Sequence, residues 1–303
     1  MQRLLVIGCG DVALRALPLL VRRYRVYALL RTPDADKNSA LLRRLRGLGV
    51  TPITGDLDQP ATLRRLAGLA DAVLHCAPPA STGSCDHRTR RLIAALQRSP
   101  SVPRRLVYIS TSGVYGDCQG QPVCETRPTA ARTARARRRV DAEQVLRRWG
   151  RRPKPRSPVI SILRVPGIYA ANRLPVERIR RADPVLCRAD DVITNHIHAD
   201  DLATCLLAAL RRGRAQRIYH ASDDTAGLAM ADWFDAVADA AHLPRPPRIS
   251  RAQAQQRLSP QVLSFMNESR CLDNHRLKHE LQVRLAYPDI RTGLAAIFSP
   301  ERN

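Results

Sequence analysis

The chain has 303 residues, of which 44% are hydrophobic and 4% aromatic, and its formal net charge is +23. This length allows a large hydrophobic core and excludes a peptide or a disordered tail, and the low aromatic content argues against a stacking platform for single-stranded nucleic acid. Nearly all the positive charge is arginine spread along the whole chain, with lysine only at 37, 154 and 278. We therefore do not expect a nucleic-acid partner.

No apolar stretch in the sequence approaches the roughly 20 residues of a membrane span. The apolar run at residues 4–7 is too short for a secretory signal. The eight cysteines are scattered and include no Cys-x-x-Cys pair, which favours reduced thiols over disulfides or a zinc site. These features predict a cytoplasmic protein without a membrane partner.

Short apolar runs alternate with segments of helical spacing through the first half of the chain. The apolar runs, typical of strands covered on both faces, are 4–7, 26–30, 50–54, 72–76, 106–109 and 159–163. The helical segments between them are 11–22, 36–48, 60–69, 86–98 and 130–149. This repeated order predicts an α/β fold with a Rossmann-type, doubly wound parallel sheet.

The pattern becomes irregular after residue 163. Residues 166–192 are rich in Pro, Arg and Asp, and a predicted strand near 193–198, a helix near 200–212 and a strand at 217–219 follow. We expect residues 1–165 to form a dinucleotide-binding Rossmann domain, to which residues 193–221 return. Residues 166–192 and 222–303 are then expected to form a smaller C-terminal region on the substrate side.

The loop after the first predicted strand carries the pattern G-x-G-x-x-A, formed by Gly8, Gly10 and Ala13. Gly8 permits a tight turn, Gly10 lets the backbone approach a pyrophosphate, and Ala13 lets the helix pack closely on the strand. Asp11 and Val12 lie in the first helical turn, whose free N–H groups would face the phosphates. We predict a dinucleotide site here.

The end of the second strand discriminates between nicotinamide cofactors. An acidic residue at this point would bind the adenosine ribose hydroxyls and oppose a 2′-phosphate. This chain has Arg31 and Thr32 instead, and the forked guanidinium suits a phosphate, with the Thr32 hydroxyl as a further donor. The sequence favours NADP(H), with NAD(H) as the alternative if Arg31 is only a solvated surface residue.

Further segments resemble signatures of the extended short-chain dehydrogenase/reductase family of NAD-dependent epimerases and dehydratases. They are T-G-D-L at 54–57, H-C-A-P-P at 75–79, I-S-T-S-G-V-Y-G at 109–116 and L-R-V-P-G-I-Y at 163–169. The resemblance implies that Asp56 approaches the adenine ring, with Leu57 in the same segment. It also implies that Cys76, Ala77 and Pro78 run along the cofactor.

The resemblance continues with N-H-I-H-A-D-D-L at 195–202 and E-S-R at 268–270. Together with the G-C-G-D-V opening, these segments are most similar to an atypical, YeeZ-like bacterial subgroup described as epimerases or oxidoreductases. The resemblance implies the fold and leaves the substrate open. It also implies a homodimer formed through the helices that follow the fourth and fifth strands.

His196, His198 and Asp200 alternate along one predicted strand, a spacing that could hold a metal ion. The resemblance instead makes this segment a strand that leads into a helix, with Asp200 or Asp201 suited to the N-cap. No nearby residue completes a ligand set in the sequence. We therefore predict no metal site.

In the resembled family a Tyr-x-x-x-Lys pair moves the proton, and a Ser or Thr polarises the substrate oxygen. Thr111 matches the Ser/Thr position, and anchoring the later helix on Glu143 places Arg139 at the Lys position and Arg135 at the Tyr position. A guanidinium cannot shuttle protons. Thr111 and Tyr115 are therefore the catalytic candidates, although a packing role for Tyr115 under the cofactor loop is the alternative.

The resemblance also supplies the remaining contacts. Arg139 would hold the nicotinamide ribose, and Arg135, Tyr169 and His198 would contact a small anionic or carbonyl substrate, with His198 as another proton donor. The sequence thus predicts an NADP-dependent oxidoreductase or epimerase-like enzyme acting on a carbonyl or sugar-nucleotide substrate. The alternative is a catalytically silent NADP(H)-binding sensor or scaffold.

Overall fold

The computed structural model of the chain describes residues 1–31, 35–153 and 157–299. Its strands are β1 (Gln2–Ile7), β2 (Tyr24–Leu30), β3 (Thr51–Thr54), β4 (Ala72–His75), β5 (Arg105–Thr111), β6 (Pro122–Val123), β7 (Val159–Val165), β8 (Gly167–Tyr169), β9 (Val185–Leu186), β10 (Ile193–Thr194), β11 (His196–His198), β12 (Arg217–His220), β13 (Leu228–Ala229), β14 (Arg248–Ile249) and β15 (Cys271–Leu272).

The α-helices are α1 (Asp11–Leu20), α2 (Ala35–Gly47), α3 (His87–Leu96), α4 (Ala134–Gly150), α5 (Val176–Arg180), α6 (Ala199–Arg212), α7 (Met230–Ala240), α8 (Arg251–Arg257), α9 (Pro260–Phe265), α10 (His275–His279) and α11 (Ile290–Phe298). Short 3₁₀ helices cover Pro60–Leu66, Ser112–Tyr115, Ala171–Arg173 and Arg188–Asp190. None of the helices in the described ranges is both long and apolar enough to cross a membrane.

Seven parallel strands form the central sheet in the order β3–β2–β1–β4–β5–β7–β12. The strand order reverses between β1 and β4, where Ile7 pairs with Leu29 on one side and His75 on the other. A doubly wound sheet opens a crevice at this point, beyond the carboxyl ends of the strands. The predicted fold class is confirmed.

Helices cover both faces of the sheet because its strands are apolar on both faces. Leu4 and Val6 of β1 point into a core shared with α1 and α6, whereas the alternating Leu5 and Ile7 point into a core shared with α3 and α4. This two-sided burial explains why the strand segments are continuous apolar runs.

The segment at 193–198 departs from the sequence prediction. It forms two short strands outside the central sheet: β10 pairs with β13, and β11 pairs with β8. The strand predicted near 193–198 therefore does not join the large sheet, because β12 is hydrogen-bonded to β7 as its outer neighbour. The helix predicted at 60–69 is likewise a shorter 3₁₀ helix.

The C-terminal third packs in two places. Tyr169, Trp233, Phe234 and Ile290 belong to a separate apolar cluster formed by α7, α11 and the segment after β7. Leu277 of α10 and, after that helix, Leu281 and Val283 instead pack into the core beside the central sheet. Residues from the end of the chain therefore contribute to both parts of the molecule.

Candidate functional site

A cleft of about 610 Å³ opens beyond the carboxyl ends of β1 and β2, beside the start of the loop after β4. This is the crevice that the reversal of strand order creates. Residues predicted to contact the cofactor that line this cleft are Gly8, Gly10, Arg31, Asp56, Leu57, Ala77 and Pro78. The structure thus brings together predicted residues from four separate segments of the first 80 positions.

The two glycines of the first loop serve different needs. Gly8 has a φ of +89°, and a Cβ atom there would lie 2.5 Å from the Ala77 backbone nitrogen. Gly8 is therefore required by both conformation and close packing. Gly10 caps α1, and no described atom lies within 4 Å of the position a Cβ would occupy. Its free side faces the open cleft.

The side chains of Asp11, Val12 and Ala13, which follow Gly10, do not line the cleft. Val12 and Ala13 are buried in the core on α1. The Asp11 carboxylate accepts hydrogen bonds from Arg15 Nε at 3.1 Å and Arg173 Nη1 at 3.3 Å. Asp11 therefore ties α1 to the segment after β8, while Gly10, the N-cap of α1, lines the cleft.

Two other predicted cofactor residues do not line the cleft. Cys76 packs against the aliphatic core, and its backbone N–H donates to the Ile7 carbonyl at 2.8 Å. Arg139 Nη1 donates to the Ile109 carbonyl at 2.6 Å and to the Tyr108 hydroxyl at 2.9 Å. Thr32, the remaining one, lies outside the described residues.

Arg88 lines the cleft although the sequence did not single it out. Its Nε donates to Asp58 Oδ1 at 2.9 Å, and its Nη1 donates to the Pro78 carbonyl at 3.1 Å. The hydrogen bond from Arg88 and, to a lesser extent, the charge of Arg31 hold the pKa of Asp58 below its usual value. Two guanidinium groups therefore face this end of the cleft. No local motif marks Arg88, since Asp58 lies 30 positions away.

A second pocket, of about 190 Å³, lies beyond the carboxyl end of β5 and is called here the Thr111 pocket. Thr111 and Arg135, predicted for catalysis and substrate binding, both line it. Glu268 and Arg270 also line it. The E-S-R resemblance was the sequence signal for these two residues, but it did not identify them as members of a site.

Thr111 is held at this position by local geometry. It caps the 3₁₀ helix Ser112–Tyr115, and its Oγ1 accepts a hydrogen bond from the Gly113 backbone N–H at 3.2 Å. The hydroxyl proton of Thr111 is then available for another acceptor.

The 268–270 segment is fixed by contacts from elements far away in the sequence. The Ser269 backbone N–H donates to Asp117 Oδ1 at 2.9 Å, and Asn195 Nδ2 donates to the Arg270 carbonyl at 2.7 Å. The Ile193 backbone N–H donates to Ser269 Oγ at 2.8 Å. These bonds position Glu268 and Arg270 at the Thr111 pocket.

Two of the charged side chains of this pocket, Glu268 and Arg270, are poorly solvated, whereas Arg135 is exposed. Arg270 forms an ion pair with Glu268 and donates to the Ser112 carbonyl at 2.8 Å. Burial lowers the pKa of Arg270, and the nearby charge of Arg135 lowers it further. Glu268 Oε1 is buried and has no hydrogen-bond partner among the described residues. An anionic group with a donor hydroxyl would match this arrangement.

Tyr115, the other catalytic candidate, lies in the interior. Its side chain is 1% exposed, and its hydroxyl oxygen is 2.6 Å from His220 Nε2. The Arg164 guanidinium lies 4.6 Å from the ring centroid. Burial raises the pKa of Tyr115 to about 12. Because Tyr115 reaches neither cavity, this environment favours the packing role over the catalytic one.

The predicted substrate contacts Tyr169 and His198 are also buried and line neither of these two cavities, so their contact with a substrate stays a prediction. The Tyr169 hydroxyl donates to the Asp289 carbonyl at 3.4 Å, within the C-terminal apolar cluster. His198 caps α6, and its Nδ1 accepts from the Asp200 backbone N–H at 3.3 Å. Their burial depends on Asp289 and α7, which the sequence does not place beside β8 and β11.

The prediction that Asp200 or Asp201 caps α6 was wrong, because His198 caps the helix. Neither Asp200 nor Asp201 caps the helix; the Asp201 carboxylate accepts hydrogen bonds from the backbone N–H groups of Ala286 and Tyr287 at 2.8 and 2.9 Å. His196 stacks on Trp233 with ring centroids 4.2 Å apart. The alternating residues of this segment are thus used to attach the C-terminal part of the chain.

Comparisons with known proteins agree with this architecture. The sequence model of the NAD dependent epimerase/dehydratase family matches residues 16–222. No match to a curated protein was found. A structure described as a functionally unknown conserved protein from Silicibacter pomeroyi is 27% identical, with a TM-score of 0.78 and 100% coverage of both chains.

Two characterised structures share the fold at lower identity. A dTDP-glucose 4,6-dehydratase from Streptomyces venezuelae, with NAD and TYD bound, is 20% identical, with a TM-score of 0.75 over 98% of this chain and 95% of that one. A UDP-glucuronic acid 4-epimerase from Bacillus cereus, in complex with NAD, is 15% identical, with a TM-score of 0.74 over 98% and 97%.

Proposed function

Because the chain belongs to the NAD dependent epimerase/dehydratase family, we propose that it is an NADP(H)-dependent oxidoreductase or epimerase-like enzyme acting on a small anionic carbonyl or sugar-nucleotide substrate. The observation that carries the proposal is the pairing of two cavities at the carboxyl edge of one sheet, a glycine-lined cleft beside β1 and the charged Thr111 pocket beyond β5. Membership of the YeeZ-like subgroup within this family stays a prediction.

The cleft fits a dinucleotide in its backbone and its shape. The open side of Gly10 and the N–H groups at the start of α1 would hold the pyrophosphate, and Asp56 would lie at the adenine. Ala77 and Pro78 would run along the middle of the molecule. When bound, the nicotinamide ring would accept or donate a hydride.

The preference for NADP(H) is supported by Arg31 and Arg88, which both line the cleft. A 2′-phosphate would gain charge-assisted hydrogen bonds from such guanidinium groups. We expect NADPH to bind at least about tenfold more tightly than NADH, and Arg31→Ala to remove most of the difference. Calorimetric titration of both cofactors tests this, with the exposed Arg64→Ala as the matched control. Equal affinities in the unmodified protein would contradict the preference.

We propose that the acid/base is a residue outside the Tyr-x-x-x-Lys pair of the family. Among the described residues lining the Thr111 pocket, the ionisable side chains are Arg135, Glu268 and Arg270, and a guanidinium does not release its proton. Glu268 is therefore the group proposed to exchange a proton with the substrate. Thr111 would polarise the reacting oxygen, and the two arginines would bind the anionic part of the substrate.

Turnover measurements with NADPH and a panel of carbonyl and sugar-nucleotide compounds test this assignment. Glu268→Gln should lower kcat by about 100-fold or more with little change in NADPH affinity, because the amide cannot carry the proton. Glu177→Gln, on the exposed surface of α5, is the matched control. Turnover that survives Glu268→Gln and Thr111→Ala unchanged would place the chemistry elsewhere.

The second function, a silent NADP(H)-binding sensor or scaffold, is favoured by one observation. Tyr115 and His198, the proton donors considered from the sequence, are buried away from both cavities. NADPH binding without turnover on any member of the panel, in a folded protein, would support this alternative over the enzyme.

Two further aspects stay predictions. Residues 166–192 and 222–303 are proposed to act as the substrate-side region, since Glu268 and Arg270 come from the second of these segments. A homodimer is proposed to form through α3 and α4, which pack against one another along one face of the sheet. Light scattering during size-exclusion chromatography would measure the oligomeric state directly.

A further inference from the structure

A third cavity lies away from both sites described above, between α4, the loop 125–129 and the outer strand β12. Its volume is about 390 Å³, and none of its lining residues lines the cofactor cleft or the Thr111 pocket. We call it the arginine pocket, because its lining includes Arg127, Arg147, Arg164, Arg217 and Arg276.

Positive charge exceeds negative charge around this pocket. The carboxylates among its lining residues are Glu125 and Glu143. Glu143 is bound by Arg164, with 2.7 Å between Oε2 and Nη2, and Glu125 lies 3.4 Å from Arg276. Each of these carboxylates is therefore already paired with one guanidinium, and Arg217 pairs with Glu280 outside the lining. The charges of Arg127 and Arg147 remain without an ion pair among the described residues.

Several buried polar atoms of the pocket lack partners. Arg164 Nη1, Arg147 Nε and both polar atoms of the Gln216 side chain are buried without a hydrogen bond from any described residue. The Arg164 side chain is only 3% exposed. Unsatisfied buried donors cost about 1–3 kcal/mol each in a folded protein. A ligand that accepts the hydrogen bonds of these donors would remove that cost.

The electrostatics of Arg147 point the same way. Burial lowers the pKa of Arg147, and the neighbouring charges of Arg151 and Arg164 lower it further. An anion placed between these guanidinium groups would relieve the repulsion and supply the missing acceptors.

We propose that the arginine pocket binds the phosphoryl group of a small metabolite. The unsatisfied donors come from three separate elements: Arg147 from α4, Arg164 from β7 and Gln216 from the loop before β12. Donors that arrive from three elements suit the three terminal oxygens of a phosphoryl group, whereas one guanidinium fork suffices for a planar carboxylate. The Gln216 carbonyl can accept from a hydroxyl of the same ligand. The volume suits a small metabolite.

The ion pair beneath the pocket connects it to the Thr111 pocket. Arg164 Nε also donates to Glu143 Oε1 at 3.1 Å, and the same oxygen accepts from Ser110 Oγ. Ser110 directly precedes Thr111, and Arg164 lies two positions before Pro166, which lines the Thr111 pocket. A ligand bound to Arg164 would therefore contact the side chains that hold the carboxyl ends of β5 and β7.

Calorimetric titration with inorganic phosphate, and with acetate at the same ionic strength, tests the proposal. Phosphate should bind more tightly than acetate. Arg147→Gln should weaken phosphate binding at least tenfold, while Arg148→Gln, on the exposed side of the same helix turn, should leave it unchanged. Gln216→Ala gives a second variant should Arg147→Gln fail to fold.

The cofactor cleft could also attract phosphate, so Arg31→Gln is measured in parallel. Phosphate binding that is lost with Arg31→Gln and retained with Arg147→Gln would assign the anion to the cofactor cleft and overturn the proposal. Absence of phosphate binding, or equal binding of acetate, would overturn it as well. The proposal is independent of the proposed enzyme activity, since NADPH affinity is expected to be unchanged in the Arg147 and Gln216 variants.

Discussion

The cofactor cleft and the Thr111 pocket lie at the same edge of one sheet, yet they are built in opposite ways. The cleft is formed by segments within the first 88 residues, and its middle is backbone and small side chains such as Gly8, Gly10 and Ala77. The Thr111 pocket joins residues from 111 to 270 and is lined by charged side chains. The first site depends on local backbone conformation, and the second on packing between distant segments.

Substitutions in the two regions should therefore affect different properties of the protein. The glycine-lined middle of the cleft is sensitive to added bulk, whereas removal of charge is expected to matter at its Arg31 end. A site made from charged side chains depends on the network of ion pairs that holds each charge in place. The following variants test that distinction.

The largest effect is expected at Gly10. Gly10→Val should abolish dinucleotide binding while leaving the circular dichroism spectrum and the melting temperature nearly unchanged, because the added atoms project into the open cleft. Gly8→Val is the matched comparison. Its side chain would collide with Ala77 at a positive φ, so it should destabilise the fold itself. Normal cofactor binding by Gly10→Val would mean that the phosphate loop lies elsewhere.

The next effect concerns the ion pair between Glu143 and Arg164, whose side chains are 4% and 3% exposed. Glu143→Ala should lower the free energy of unfolding by about 3–5 kcal/mol, because it leaves the Arg164 charge buried and unpaired. Chemical denaturation measures this. Glu177→Ala removes the exposed partner of Arg180 and should change stability by less than about 1 kcal/mol. Similar values for the two variants would contradict the importance of burial.

A smaller, pH-dependent effect is expected at Asp223, next to β12. Its carboxyl group is 4% exposed, and burial raises its pKa to about 7. The folded state therefore holds this proton more tightly than the unfolded state, whose Asp pKa is about 3.9, and stability from this group falls as the pH rises from about 4 to 7.

Asp223→Asn removes this dependence. The amide oxygen can still accept the hydrogen bond from the Thr225 backbone N–H, which is 3.0 Å long. We expect the variant to be more stable than the unmodified protein at pH 8 by on the order of 3 kcal/mol and equally stable near pH 4. Thermal unfolding across this pH range measures the difference. A constant difference at all pH values would refute the titration of Asp223.

The smallest effect is expected at Arg139. The Arg139 guanidinium already donates hydrogen bonds to Ile109 and Tyr108. A ribose hydroxyl would therefore share this donor with them and gain only a weak hydrogen bond. Arg139→Ala should weaken NADPH binding by about 1 kcal/mol, or roughly fivefold. The exposed Arg137→Ala on the same helix should not change it. A loss beyond a hundredfold in Arg139→Ala would show that Arg139 is the main ribose ligand.

The sequence by itself determined the sheet and the glycine-lined loop. Continuous apolar runs such as residues 4–7 require burial on both faces, and the G-x-G-x-x-A pattern specifies a turn whose conformation only glycine adopts readily. Both requirements act within a few residues of the chain, so they can be recognised before any packing is known. Arg31 can likewise be recognised from the sequence, because it directly follows the apolar run that forms β2.

Tertiary structure alone decided the charged half of the site. Tyr115, Tyr169 and His198 carry suitable chemistry, but their access to a substrate depends on which distant segments cover them, and the fold buries all three. Glu268 and Arg270 reach the Thr111 pocket because hydrogen bonds from Asp117 and Asn195 hold their segment there. Such contacts join residues more than 70 positions apart, and a side chain's exposure and charge environment follow from them rather than from its neighbours in sequence.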